Sequence, residues 1–125
     1  MDANYTDCFD CKLHTGFKNC FDKTVDQATT GVLALHVQYP SYDIMVTGHS
    51  LGGALANLLS VSLVQKGLKV IHYSFGSPRV STLKKLLFYS FKFIECMQVG
   101  NQAFSDYVKS LQMVPQRITH YKGTL

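Results

Sequence analysis

Residues 43–55 read DIMVTGHSLGGAL, and the predicted fold class follows from this stretch. The run from about Asp43 to Thr47 is apolar and β-favouring without alternation, which is typical of a strand buried in a parallel sheet. From Leu51 onward, leucine and alanine recur at helical spacing on one face, and Gly67 is a typical C-terminal stop. The stretch therefore predicts a strand, a sharp turn and a helix.

The flanking residues extend this pattern to a whole domain. LKVIHYSFG at 68–76 predicts a second buried strand, and a strand–helix–strand unit of this size requires parallel strands. The predicted fold class is α/β with a parallel sheet. We also expect irregular chain over 1–15, one amphipathic helix from about Gly16 to His36, a short helix in 101–111 and a final strand in 116–121.

Gly48 to Gly52 fit the pattern Gly-x-Ser-x-Gly between a predicted strand and a predicted helix, the context that a nucleophilic serine elbow requires. So tight a turn forces Ser50 into an unusual backbone conformation and leaves little room two positions away, where Gly48 and Gly52 stand. Ser50 is the candidate nucleophile. The backbone N–H of Leu51, at the helix N-terminus, is the candidate donor to an oxyanion.

Two neighbours complete the predicted elbow. Gly53, together with Ala54, is expected to let the helix pack closely on the sheet. His49 could act as a base beside Ser50, but adjacent side chains on a sharp turn point apart. We therefore predict a packing or hydrogen-bonding role for His49 under the elbow.

Several stretches, in order, resemble the class 3 (fungal-type) lipase family of the α/β-hydrolase superfamily. CKLHTGF at 11–17 is similar to a Cys-x-Val-His-x-Gly-Phe segment of that family, residues 39–56 to its elbow, and FGSPRV with GNQAFSDYV to a further block. The resemblance implies hydrolysis of carboxylic esters, typically acylglycerols, by a Ser-His-Asp triad without metal or organic cofactor. It assigns Ser50 as nucleophile and Leu51 to the oxyanion hole, and it places His14 and Gly16 in a structural segment.

The resemblance also locates the remaining catalytic groups. The family's Asp falls at Gly123, its His beyond Leu125, and its other oxyanion donor upstream of the matched region, so a partial lipase-like domain is expected. The alternative is a truncated or degenerate homologue without turnover; a peptidase or thioesterase with the same elbow is also open. Without the family, Ser50, Asp106 and His120 satisfy the order Ser…Asp…His, although Asp106 is expected on an exposed helix face.

An atypical insertion at about 81–98 separates the two halves of the last family block. One explanation is a translated intron over 80–98, since a Val-Ser start can be encoded by GTAAGT and a Gln end by CAG. The other is a genuine surface insertion, which loops tolerate at modest entropic cost. The sequence of the mature transcript distinguishes them.

Composition restricts the partners. The chain is 46% hydrophobic and 16% charged, which is typical of a globular domain. The net charge of +4 is mild and the basic residues form no stripe, so no nucleic-acid partner is expected.

No apolar run approaches the roughly 18 residues of a membrane span. We expect a lipid or other ester substrate, and contact with a lipid interface remains open. The start, MDANYTDCFD, does not resemble a signal or transit peptide, whereas the family suggests secretion.

Three of the four cysteines, Cys8, Cys11 and Cys20, lie near the start, and Cys96 stands alone. CFDCKLH has the elements of a zinc site, but its spacing matches no standard finger. Disulfide pairing in an oxidising compartment and reduced thiols are the other interpretations, and no metal site is predicted.

Overall fold

Strands and helices alternate along the chain in a computed structural model that describes residues 2–5, 8–77, 99–111 and 115–118. The elements in chain order are β1 (Asp2–Asn4), β2 (Lys12–His14), α1 (Thr15–Asp22), α2 (Val25–Gln38), β3 (Ile44–His49), α3 (Leu51–Gln65), β4 (Val70–Phe75), α4 (Gln102–Ser110) and β5 (Pro115–Ile118). The expected insertion, Cys96, His120 and Gly123 lie outside the described residues.

The central feature is a parallel sheet with the strand order β3-β4-β5. β3 and β4 pair in parallel, with Ile44 opposite Val70 and His49 opposite Phe75. β4 and β5 also pair in parallel, with His72 opposite Pro115. The predicted strand, sharp turn, helix and parallel strand are confirmed, and with them the α/β class.

α3 is buried over more of its circumference than one apolar face would be. It contacts β3, β4, α1 and α2, so residues pointing in several directions lose contact with solvent. The prediction of a single buried face was therefore too narrow. The buried residues of α3 are Gly53, Ala54, Ala56, Asn57, Leu58, Ser60, Val61 and Leu63.

The predicted single helix from Gly16 to His36 is wrong, because the chain forms two helices that meet at Lys23 and Thr24. The Thr24 hydroxyl donates to the carbonyl oxygens of Cys20 and Phe21, both at 3.2 Å, and these bonds satisfy the last turn of α1. The Thr24 carbonyl then accepts from Ala28 N at 3.0 Å in the first turn of α2. Hydrophobic spacing continues across this break, so periodicity did not reveal it.

The expectation of irregular chain over residues 1–15 is also wrong in part, because β1 and β2 form an antiparallel hairpin. A disulfide between Cys8 and Cys11 closes its turn, and Tyr5 N–H donates to the Cys11 carbonyl at 2.8 Å. Cys20 is an exposed free thiol. Among the described residues no group of three or more His, Cys, Asp or Glu side chains is placed to hold a metal ion.

Candidate active site

Ser50 lies between the last residue of β3 and the first residue of α3, with φ 50° and ψ −122°. Such a conformation costs a non-glycine residue on the order of 1–3 kcal/mol and persists only where neighbouring bonds hold it. Ser50 N–H donates to the Phe75 carbonyl at 3.0 Å, and the Ser50 carbonyl accepts from Gly53 N at 2.9 Å. The elbow is therefore attached both to the end of β4 and to the first turn of α3.

Two glycines make this turn sterically feasible. A Cβ on Gly48 would collide with the Gly52 carbonyl and would stand 2.7 Å from Gly53 N. A Cβ on Gly53 would stand 2.6 Å from Ser77 Cβ, on the strand side of the helix. At Gly52, by contrast, no atom of the described residues lies within 4 Å of where a Cβ would stand, so no contact among these residues requires a missing side chain there. The backbone carbonyl of Gly52 contributes to the turn in another way, because it occupies the space that a side chain at position 48 would need.

The first amide of α3 has the arrangement expected of an oxyanion donor. Within the described part of the chain, Leu51 N–H donates to no protein acceptor, as is normal for the first turn of a helix. Leu51 is 48% exposed, so this first residue of α3 lies at the protein surface. An oxygen anion formed beside Ser50 could accept from Leu51 N–H with support from the helix dipole.

No histidine in the described ranges is hydrogen-bonded to Ser50. His14 Nδ1 accepts from Gly16 N at 3.2 Å and caps α1, and His72 Nδ1 contacts Ser60. His49 is exposed and pairs in register with Phe75; its Nε2 lies 3.6 Å from where a Cβ on Gly76 would stand. The geometry does not make His49 the base, and its predicted role under the elbow stays a prediction.

Asp106, the acid of the alternative triad, lies on the exposed face of α4. Its carboxylate accepts hydrogen bonds from Lys109 Nζ at 3.1 Å and Gln102 Nε2 at 2.8 Å. These bonds, that from Lys109 first, lower the pKa of Asp106 below its ordinary value. Asp106 thus has partners on its own helix, as expected for a solvated surface residue.

Sequence reasoning missed a polar seam between α3 and β4, which runs under the elbow. We define this α3–β4 seam by Gly53, Asn57 and Ser60 on the helix and His72, Ser74 and Ser77 on and after the strand. Ser77 Oγ donates to Ser74 Oγ at 3.0 Å, and Ser60 Oγ lies 3.0 Å from His72 Nδ1. All six residues are buried. Polar residues inside otherwise apolar elements were the available signal.

A cavity of about 180 Å³ lies beside the elbow, bordered by α1, α2, β3 and α3. Gly52 and Thr47 are among its lining residues, which explains the open space at the Gly52 Cβ position. Ser50 is not among them. The lining is apolar apart from two threonines and consists of Phe21, Thr24, Val25, Ala28, Val46, Thr47, Gly52, Leu55, Ala56 and Leu59.

Comparison with known proteins places this geometry in context. The profile of the family described as Lipase (class 3) matches residues 1–122. The chain is 30% identical over 110 residues to secreted mono- and diacylglycerol lipase 1 of Fusarium solani, covering 88% of this chain and 27% of that protein. It is 35% identical over 113 residues to a lipase of Rhizomucor miehei, covering 86% of this chain and 26% of that protein.

Solved structures agree with the sequence matches. A triacylglycerol lipase whose catalytic centre is a serine protease triad superposes with a TM-score of 0.77 at 32% identity, covering 95% of this chain and 40% of that one. A lipase from Rhizopus microsporus var. chinensis gives a TM-score of 0.78 at 31% identity, with 96% and 37% covered. The predicted α/β-hydrolase fold is confirmed. The chain spans about a quarter of the length of the curated relatives it matches.

Proposed function

The chain belongs to the class 3 lipase family, and we propose that it provides the nucleophile and part of the oxyanion hole of a carboxylic ester hydrolase acting on acylglycerols. The observation that carries this proposal is the conformation of Ser50, at φ 50° and ψ −122° between a parallel strand and a helix N-terminus. The relatives named as mono- and diacylglycerol lipase and as triacylglycerol lipase support acylglycerols as the substrate class.

In the proposed reaction, Ser50 Oγ attacks the ester carbonyl carbon and the carbonyl oxygen becomes an anion. Leu51 N–H donates to that oxygen. A base removes the proton from Ser50 and returns it to the leaving alcohol, and water then releases the acid from the acyl-serine. No histidine or carboxylate among the described residues is hydrogen-bonded to Ser50. The resemblance places the acid partner at Gly123 and the base farther along the family's sequence.

The proposal is tested by the hydrolysis of a short-chain p-nitrophenyl ester and of emulsified mono-, di- and triacylglycerols by purified protein. Ser50→Ala should remove the hydrolysis and also the labelling by a fluorophosphonate, which reacts with activated serines. Asp106→Asn is the control, because Asp106 is exposed and bonded within its own helix; its rates should be unchanged.

Three other outcomes identify the competing functions. Equal, background-level rates for the unaltered protein and Ser50→Ala would indicate the homologue that lacks turnover. Cleavage of thioesters or peptides in preference to acylglycerols would indicate a thioesterase or a peptidase. Loss of activity in Asp106→Asn as well as Ser50→Ala would return Asp106 to the triad.

We also propose that residues 81–98 are an insertion into the lipase domain, since family motifs flank them on both sides. The mature transcript decides their origin. A message that lacks the codons for 80–98 supports a translated intron, and a message that retains them excludes it.

A further inference from the structure

The cavity beside the elbow exists because small residues on two helices line the same space. The lining residues of α3 are spaced by about one helical turn, so a single face of that helix borders the cavity. They are Gly52, Leu55, Ala56 and Leu59, and α2 contributes Ala28. Apart from its own helix backbone and chain neighbours, Gly52 has no described atom within 4 Å of the position of a Cβ. The helices therefore leave a concave space of about 180 Å³ between them.

The chemistry of the lining determines which molecules this space accepts. The described lining residues include no Asp, Glu, Lys, Arg or His, so a charged group would lose hydration without gaining a counter-ion. Their only hydroxyls are those of Thr24 and Thr47. The Thr24 hydroxyl is already bonded to the carbonyl oxygens of Cys20 and Phe21, both at 3.2 Å. The lining therefore favours an uncharged, apolar occupant.

The volume of the cavity sets the size of that occupant. An apolar cavity of about 150 Å³ holds one benzene molecule. A space of about 180 Å³ therefore accommodates a single six-membered ring or an alkyl chain of about six carbons. Ser50 is not among the described lining residues, so the site is distinct from the nucleophile.

We propose that this cavity is a binding site for a small uncharged hydrocarbon group, either a single ring or a short alkyl chain. An occupant contacts Thr47 on β3 and Gly52 in the first turn of α3, so it bridges the two elements that the elbow connects. It also contacts Thr24, where α1 and α2 meet. Because the unfolded chain has no such cavity, binding raises the temperature of unfolding.

The test is an NMR titration with benzene of the protein labelled with 13C in its methyl groups. We expect saturable shifts, and cross-peaks from benzene to the methyl groups of Val25, Leu55 and Leu59. At ten times the dissociation constant, benzene should raise the midpoint of thermal unfolding by about 4–7 °C. Benzoate, which adds a carboxylate to the same ring, should cause neither effect.

Three results on the unaltered protein would overturn the proposal. One is a titration without saturable shifts. Another is benzoate binding as tightly as benzene, which would exclude an uncharged ligand as the preferred class. The third is cross-peaks confined to Met45 and Ile118, which would place benzene on the exposed side of the sheet and not in the cavity.

Variants of α2 provide a second arm. Ala28→Phe fills the cavity and should abolish the benzene shifts at Leu55 and Leu59. Ala34→Phe, at an exposed position of the same helix outside the lining, is the matched control and should bind benzene as before. If Ala28→Phe does not fold, Ala28→Val should raise the dissociation constant about tenfold.

Unchanged benzene binding in a folded Ala28 variant would show that the ligand lies elsewhere. Neither arm measures ester hydrolysis, so this site can fail while the proposed function stands, and the reverse.

Discussion

Ser50 and the glycines around it show how one residue's backbone sets the requirements of its neighbours. With Ser50 in a left-handed conformation, the chain folds back so that the Gly52 carbonyl comes close to the Gly48 α-carbon. Position 48 therefore has no room for a side chain, whereas Gly52 lines a cavity. The two glycines look equivalent in Gly-x-Ser-x-Gly, but only the first is sterically obligatory in the described structure.

Gly48→Ala should lower the free energy of unfolding by about 2–4 kcal/mol, because its Cβ meets backbone atoms that cannot move aside. Gly52→Ala is the matched control. It should raise the free energy of unfolding by up to about 1 kcal/mol, since alanine is favoured over glycine within a helix and the space is open. Urea unfolding followed by circular dichroism measures both. Equal destabilisation by the two substitutions would contradict the steric argument.

His72 predicts how stability depends on pH. Burial lowers the pKa of its imidazole below the ordinary value of about 6.5. The folded protein then binds a proton at His72 less readily than the unfolded chain does. The stability that neutral His72 contributes is therefore fully present above the pKa of the unfolded chain, and it is lost as the pH falls below that value. The ionisable residues on the elements next to His72 are few. α3 carries none. On the neighbouring strands they are His49, which pairs with Phe75 on the other face of the sheet, and Arg117, which is in register with Ser74.

The urea midpoint should therefore fall between about pH 7.5 and about pH 5.5, and His72→Leu should flatten that decline. Leucine removes the titrating group at similar volume, and loss of the contact with Ser60 should lower the midpoint equally at every pH. His36→Gln, on α2, is the control and should retain the full slope. A slope unchanged in His72→Leu would assign the acid sensitivity to other groups.

Among the elements, α4 is capped by a side chain that also bonds to the hairpin, beside the backbone bond from Asn101 N to the Lys12 carbonyl. Asn101 Oδ1 accepts from Phe104 N at 3.0 Å, which caps the helix, and from Lys12 N at 3.1 Å. Asn101 Nδ2 donates to the Asp10 carbonyl at 2.8 Å, in the turn closed by Cys8 and Cys11. The cap of one helix is thus also one of the attachments of β2, together with the backbone bond from His14 N to the Val99 carbonyl.

Asn101→Ala should cost about 2–3 kcal/mol of unfolding free energy, because it removes the cap and leaves three backbone groups to find other partners. Asn101→Asp keeps the acceptor and loses only the donor, so its cost should be smaller. Asn19→Ala, at an exposed helical position, should change stability by less than about 0.5 kcal/mol. Equal costs for Asn101→Ala and Asn101→Asp would show that the cap itself contributes little.

The elements also show which parts of the fold a sequence pattern can reveal. β3, α3 and β4 were predictable because long apolar runs and a glycine turn specify them locally. The break between α1 and α2 was not, since it depends on the Thr24 hydroxyl and leaves the apolar spacing in phase. Ser50 and Leu51 could be nominated from a local motif. His72 and Ser60 could not, because their pairing joins residues 12 positions apart across a helix–strand contact.

The central sheet of the protein has two unlike faces. Val46 and His72 lie on the face that α3 covers and are buried. On the other face, Met45 is 61% exposed, Phe75 43% and Ile118 49%. Parallel sheets are normally covered on both faces, so the described residues leave part of an expected core open. No helix in the described ranges is both long and apolar enough to cross a membrane.

This open face should make the protein bind apolar dyes and self-associate as its concentration rises. Met45→Lys places a charge on this face at β3, an edge strand of the described sheet, and should lower both the fluorescence of bound anilinonaphthalene sulfonate and the weight-average mass in sedimentation. Phe9→Lys is the matched control: Phe9 is 98% exposed but lies at the hairpin turn, away from the sheet, so neither quantity should change much. If Met45→Lys leaves both unchanged while the protein stays folded, chain outside the described residues already covers the face.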